Sequence, residues 1–270
     1  MQVQLVVFSA PKQGYTPGEW EDGAAGGSYR GTRGGDPPCV RFAVADGATE
    51  TYESRRWVNQ LIRSFMSRNQ AEGACWPEIE HESVTAWFKA MQEQWQAAAP
   101  ISTDYIEQVK IRQGTLATFV GGQILGLDTP APHWRAAALG DSVLFHVRNG
   151  RLVDHFPRLR SGDFASAPEG ISTLPERLGR MSDNVGIKQG RLASGDMIFA
   201  ATDAFAKWMI TCVESGEQGL WPLLGSLVHD SDFIRLVMVH RGTLAMKDDD
   251  VTLMRIRILA QPPTTVMVCL

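Results

Sequence analysis

Carboxylates stand at the ends of three apolar runs, and that placement limits how the chain can fold. Residues 40–45 read VRFAVA and stop at Asp46-Gly47. Residues 197–201 read MIFAA and stop at Thr202-Asp203. Residues 251–258 read VTLMRIRI and follow directly on Asp249-Asp250. A fourth acidic pair, Glu21-Asp22, lies in the stretch EWEDGAAGG. Short apolar runs bounded by turn residues read as strands. A carboxylate at a strand end sits on the rim of a sheet, where several strands aim oxygens at one point. Clustered carboxylates repel unless cations neutralise them. Hard divalent ions want oxygen ligands of this kind.

The remaining periodicity surrounds these runs with helices. Residues 3–8 (VQLVVF) read as a first strand, and 9–38 as loop with a short strand or turn. Trp57, Leu61, Ile62 and Phe65 have helical spacing within Ser54–Met66, as do Val84, Trp87, Phe88, Met91 and Trp95. A third helix is expected over Asp104–Arg112, capped by Ser102 or Thr103. Strands are expected at 115–125, 134–139, 142–148 and 151–154, with Asn149-Gly150 turning the last hairpin. Residues 155–193 read as irregular and flap-like. Strand 196–201, helices 203–213, 216–228 and 231–242, and strand 251–258 complete the chain. With no repeat or long linker, residues 1–270 read as a single α+β domain, and the hairpins argue for antiparallel pairing.

Bulk properties exclude several classes. The net charge is −4, so no basic surface argues for nucleic acid, and anionic lipid has no obvious attraction. No run approaches the about 20 apolar residues that span a bilayer, and MQVQLVVFSAPKQG lacks the pattern of a signal peptide. Cys39, Cys75, Cys212 and Cys269 form no C-x-x-C pair and read as reduced thiols of a cytoplasmic protein. His81, His133, His146, His155, His229 and His240 offer no metal spacing and read as surface or capping residues.

Taken in order, the motifs carry a resemblance. Trp20–Gly23 (WEDG), Val44–Gly47 (VADG), Gly114–Thr118 (GTLAT), Ala138–Leu152 (ALGDSVLFHVRNGRL), Ser194–Trp208 (SGDMIFAATDAFAKW) and Asp249–Thr252 (DDVT) are similar to successive motifs of the metal-dependent Ser/Thr protein phosphatases of type 2C, in a compact bacterial form. Singly, each Asp reads as a turn or cap residue. The ordered set spans nearly the whole chain.

The resemblance implies a four-layer αββα sandwich, two mainly antiparallel sheets flanked by helices, with metals at one end between the sheets. It implies hydrolysis of phosphoserine and phosphothreonine in proteins by a hydroxide activated between two divalent ions, Mn²⁺ or Mg²⁺. Asp46 would bridge the ions, and Gly47 would offer its carbonyl to one of them. Asp203 and Asp249 would hold the other, and Glu21 and Asp22 would act mainly through bound waters. Asp141 would shape its hairpin behind the site, Asp250 would replace an Asn that binds a backbone amide, and Asp248 would be a solvated turn residue. The implied partners are a phosphorylated protein and a cognate Ser/Thr kinase.

Departures from the pattern matter too. Ala48 stands where many members have a His proposed to protonate the leaving oxygen. Pro17 and Gly18 occupy the stretch that carries a phosphate-gripping Arg, leaving Lys12, Arg30 and Arg33 as nearby cations. Val109–Gln113 has no carboxylate for the third ion of some bacterial members. These losses keep an alternative open, a catalytically weak regulatory module that binds a phosphoprotein or kinase.

Overall fold

The structure is a computed structural model that describes residues 1–14, 19–29, 39–48, 51–67, 79–98, 104–164, 168–260 and 266–269. In chain order its first elements are β1 (Gln2–Ala10), β2 (Gly23–Tyr29), β3 (Cys39–Gly47), α1 (Ser54–Met66), α2 (His81–Ala97) and α3 (Tyr105–Gln113). Next come β4 (Leu116–Leu125), β5 (His133–Leu139), β6 (Val143–Arg148), β7 (Arg151–Phe156), β8 (Ile171–Ser172), α4 (Leu178–Asn184) and β9 (Gly186–Arg191). The last are β10 (Met197–Ala201), α5 (Asp203–Glu214), α6 (Leu220–Ser226), α7 (Asp230–Gly242), β11 (Val251–Leu259) and β12 (Val266–Cys269).

The strands form two sheets. One runs β12-β1-β11-β10-β6-β7, antiparallel except for β12 beside β1. The other runs β2-β3-β4-β5-β9, all antiparallel, with β8 beside β4.

Alternation along β3 explains how the layers stack. Val40, Phe42 and Val44 belong to the core between the sheets, with Val3, Leu5, Ile198, Ala200, Met254 and Ile256. Ala43 and Ala45 point the other way and pack with Trp57, Val58, Leu61 and Phe65 of α1. On the far side of the first sheet, Phe145, Phe199 and Leu253 pack with Phe205, Met209, Trp221 and Phe233 of α5, α6 and α7. Three apolar cores in series make four layers, and the αββα sandwich is the observed architecture. Among the described residues, no helix is long and apolar enough to cross a membrane.

Three local expectations need correction. Asp104, not Ser102 or Thr103, caps α3: its Oδ1 accepts from the Glu107 amide at 3.0 Å. Ser102 and Thr103 lie outside the described residues. The segment 155–193 is not irregular throughout. It supplies β8, α4 and the edge strand β9, and the Trp57 indole donates to the Ile171 carbonyl at 2.7 Å. Helix 216–228 is shorter than expected, at Leu220–Ser226. The Asn149-Gly150 turn is as expected, with φ of 51° and 69°.

Candidate metal centre

Strand pleating brings acidic and hydroxyl side chains to one end of the gap between the sheets. Asp46 lies two residues beyond Val44, and Asp22 two before Ala24, so both keep the phase that faces the opposing sheet. Thr202, beyond Ala200, and Thr252, before Met254, keep the same phase from the other side.

Asp22 is held from across the gap. Its Oδ2 accepts hydrogen bonds from Thr252 Oγ1 at 2.8 Å and Thr202 Oγ1 at 3.0 Å. Its Oδ1 is buried without a partner. Burial pushes its pKa up to about 8 even though the threonines pull it down, and the charges of Asp203 and Asp250 push further. Burial also drives Asp46 well above the carboxylate range, with Asp22, Asp203, Asp249 and Asp141 adding repulsion. Asp203 opens α5 and is raised by burial and by Asp249, against the pull of Lys247.

Asp249 is partnered differently. Its Oδ2 lies 2.5 Å from Lys247 Nζ, which is also 3.9 Å from Asp203 Oδ2. The acidic turn beneath is fixed by Arg241, which donates to the backbone carbonyls of Pro11 and Asp249. Asp250 does bind backbone amides: its Oδ1 accepts from Lys12 N and its Oδ2 from Glu21 N, each at 2.9 Å. That clamp ties the Glu21-Asp22 pair to the start of β11. Asp248 is not merely solvated, because its Oδ1 accepts from the Gln13 amide at 3.1 Å.

Glu21 turns toward α1, where its Oε1 accepts from Ser54 Oγ at 2.5 Å. Gly47 has a packing reason to be glycine. A Cβ there would lie 2.9 Å from Ser54 Cβ and 3.1 Å from the Glu21 carbonyl oxygen. The close approach is therefore to the start of α1.

Asp141 departs from its expected role. It is 4% exposed, and neither carboxylate oxygen accepts a well-formed hydrogen bond, so the side chain does not shape the turn. Gly140, at φ 104°, does that. Burial pushes Asp141 up to about 7, and Asp203 adds to it. His146 is likewise not a surface residue. It is buried, 2.8 Å from Asp196 Oδ2, which Arg148 also binds, and Asp196 precedes β10 at the end away from Asp203. His81 is a surface residue as expected, bonded to the Ser182 carbonyl. Cys39 and Cys212 are buried, and Cys212 is a free thiol.

Among the described residues, no three acidic, His or Cys side chains form a ready cage for an ion. The chemistry of the cluster nevertheless fits divalent cations. The oxygens of Asp22 and Asp141 that lack partners are costly to bury, and repelling carboxylates call for positive charge. An all-oxygen donor set suits Mg²⁺ and Mn²⁺.

No family model and no curated protein match the sequence. Solved structures do. A bacterial serine phosphatase superposes with a TM-score of 0.59 at 15% identity, over 97% of this chain and 100% of that one. The serine/threonine phosphatase PstP of Mycobacterium tuberculosis gives 0.54 at 12%, over 96% and 100%. The PP2C phosphatase domain of SpoIIE from Bacillus subtilis, solved with a fragment of its regulatory domain, gives 0.53 at 15%, over 97% and 64%. The fold is that of the type 2C phosphatases. Within the type 2C fold, Asp22, Asp46 and Asp203 come together as electrostatic neighbours, and Asp249 joins them through Lys247. Pro17, Gly18, Arg30 and Arg33 lie outside the described residues. Sequence reading missed the threonine clamps on Asp22, the Ser54 contact and Lys247. The only signal for the clamps was the Thr within TD and DDVT.

Proposed function

We propose that this chain is a protein phosphatase that removes phosphate from phosphoserine and phosphothreonine with two Mn²⁺ or Mg²⁺ ions. The carrying observation is a group of carboxylates at the rim of the two sheets, in which Asp22, Asp203 and Asp249 all repel the charge of Asp46, and Asp203 repels that of Asp22. When bound, the ions supply Lewis acidity and lower the pKa of water. Asp46 would face both ions, Gly47 would present its carbonyl to one, and Asp203 and Asp249 would hold the other. Asp22, locked by Thr202 and Thr252, keeps one oxygen available to orient water. Glu21 does the same from the side of α1, held by Ser54. The substrate is a phosphorylated protein, and a Ser/Thr kinase would supply it.

The test is hydrolysis of an aryl phosphate with Mn²⁺ and with a chelator. Activity is expected only with the metal, and full activity in metal-free protein would overturn the assignment. Ala48 favours a second reading, a module that binds phosphoprotein with little turnover. Binding of a phosphopeptide without hydrolysis in Mn²⁺ would support that reading instead.

Ala48 also makes a prediction about leaving groups. Its amide donates to the Leu116 carbonyl at 3.0 Å, directly after Asp46-Gly47. A methyl group there cannot protonate a departing alkoxide. Aryl oxide hardly needs a proton, serine alkoxide does, and general acid catalysis is worth about 10²–10⁴-fold. The protein should therefore prefer aryl phosphates to phosphoserine peptides, and Ala48→His should narrow that gap. Equal rates on both substrates in the natural chain would mean that another acid serves.

A further inference from the structure

Lys247 places a cation directly on the carboxylate cluster. Its Nζ is 2.5 Å from Asp249 Oδ2 and 3.9 Å from Asp203 Oδ2, the two carboxylates proposed to share one ion. The lysine side chain is 63% exposed, so only its head is engaged. The neighbouring Arg241 contrasts with it. That side chain is 4% exposed and fastened to the Pro11 and Asp249 carbonyls, so it is built into the turn. One cation is structural, and the other rests on the rim with solvent around its stem.

We infer that Lys247 is a built-in counter-ion for Asp203 and Asp249, and that it swings away when a divalent ion takes those carboxylates. The inference rests on the two-ion reading above. An ammonium is a compact charge on a flexible stem. A dication on the same carboxylate repels the ammonium, so the ion is held more firmly once the ammonium has moved off. The carboxylates are mostly covered, at 19% and 18% exposed, but the lysine stem lies in solvent, so its head can leave by rotation of its own chain and tune metal affinity without blocking it. In the metal-free chain the same contact offsets repulsion between Asp203 and Asp249. Lys247 thereby trades affinity for one ion against stability without it.

Lys247→Met removes the charge and keeps the length, and Lys247→Arg keeps the charge. Free Mn²⁺ would be read by electron paramagnetic resonance during titration of each protein. Lys247→Met is expected to bind one of the two ions about three- to tenfold more tightly than the natural chain. Lys247→Arg should not gain. The metal-free melting temperature of Lys247→Met should fall, and its rise on adding Mn²⁺ should be the larger. If the natural chain and Lys247→Met bind Mn²⁺ alike, or the variant binds it more weakly, the counter-ion role is wrong while the two-ion reading stands. If neither binds Mn²⁺, both fall.

Discussion

Asp46→Asn is expected to lower Mn²⁺-dependent hydrolysis of an aryl phosphate by about 10³-fold, and to raise the melting temperature of the metal-free protein at pH 8. The two effects have one origin. Asp46 lies where the repulsion of Asp22, Asp203, Asp249 and Asp141 converges, and burial has already driven its pKa well above the usual range. A carboxylate in that position costs folding energy when it ionises. The amide has the same shape and no charge, so the empty site relaxes.

Catalysis responds in the opposite sense. Removing one preorganised electrostatic group typically costs about 10²–10³-fold, and a residue proposed to face both ions belongs at the top of that range. Asp203→Asn and Asp249→Asn should each weaken one ion, so excess Mn²⁺ should restore part of their activity. Rate against Mn²⁺ concentration for the three variants separates the roles. Equal losses that no metal concentration repairs would contradict the bridging role of Asp46. A lower melting temperature for Asp46→Asn would contradict the repulsion argument.

The sequence exposed those parts of the fold that are encoded locally. Helix α1 was legible to its observed bounds, because Trp57, Leu61 and Phe65 mark one buried stripe. The Asn149-Gly150 hairpin was legible because few residues tolerate its positive φ. Edge strand β9 was not. It reads GIKQGR, has no buried residue, and gains its hydrogen bonds from β5 about fifty residues earlier. With Ile187 its one apolar side chain on the core, the strand carries no period-2 signal.

The site divides the same way. Asp46 and Asp203 were legible because each ends an apolar run. The partners that set their chemistry come from afar: Thr202 and Thr252 lie 180 and 230 residues beyond Asp22. His146 reads as an ordinary polar residue in a strand. Its burial is explained by the distant Asp196, which Arg148 also binds, and by the Trp134 indole, which donates to its Nδ1 at 3.4 Å. Lys247 sits in the acidic turn before β11, where sequence gives no reason to separate it from any surface lysine.

The pH dependence of stability follows from the same cluster. In the absence of metal, the protein is expected to lose stability as pH rises from about 5 to about 8. Unfolded Asp titrates near 3.8, whereas burial holds Asp141 at about 7 and Asp22 at about 8 in the folded chain. Between those values the folded state keeps protons that the unfolded state has lost. Unfolding then releases protons, and rising pH favours it. Asp46 and Asp203 are shifted in the same direction. Asp154 and Asp196 run against it, held low by Lys188 and by Arg148 despite the cost of burial, but their support is lost only below about pH 4. His240, lowered by burial, also opposes the trend below its usual imidazole range, as one group against four. Bound Mn²⁺ should reverse the picture, because the ions need the carboxylates ionised, and binding should release protons. Melting temperatures from pH 5 to pH 8, with chelator and with Mn²⁺, read the effect directly. Calorimetry of Mn²⁺ binding in buffers of different ionisation enthalpy counts the protons. Asp22→Asn and Asp141→Asn should each flatten the metal-free curve. A metal-free stability that stays level or climbs across this window would mean that these carboxylates are already neutralised by something other than protons.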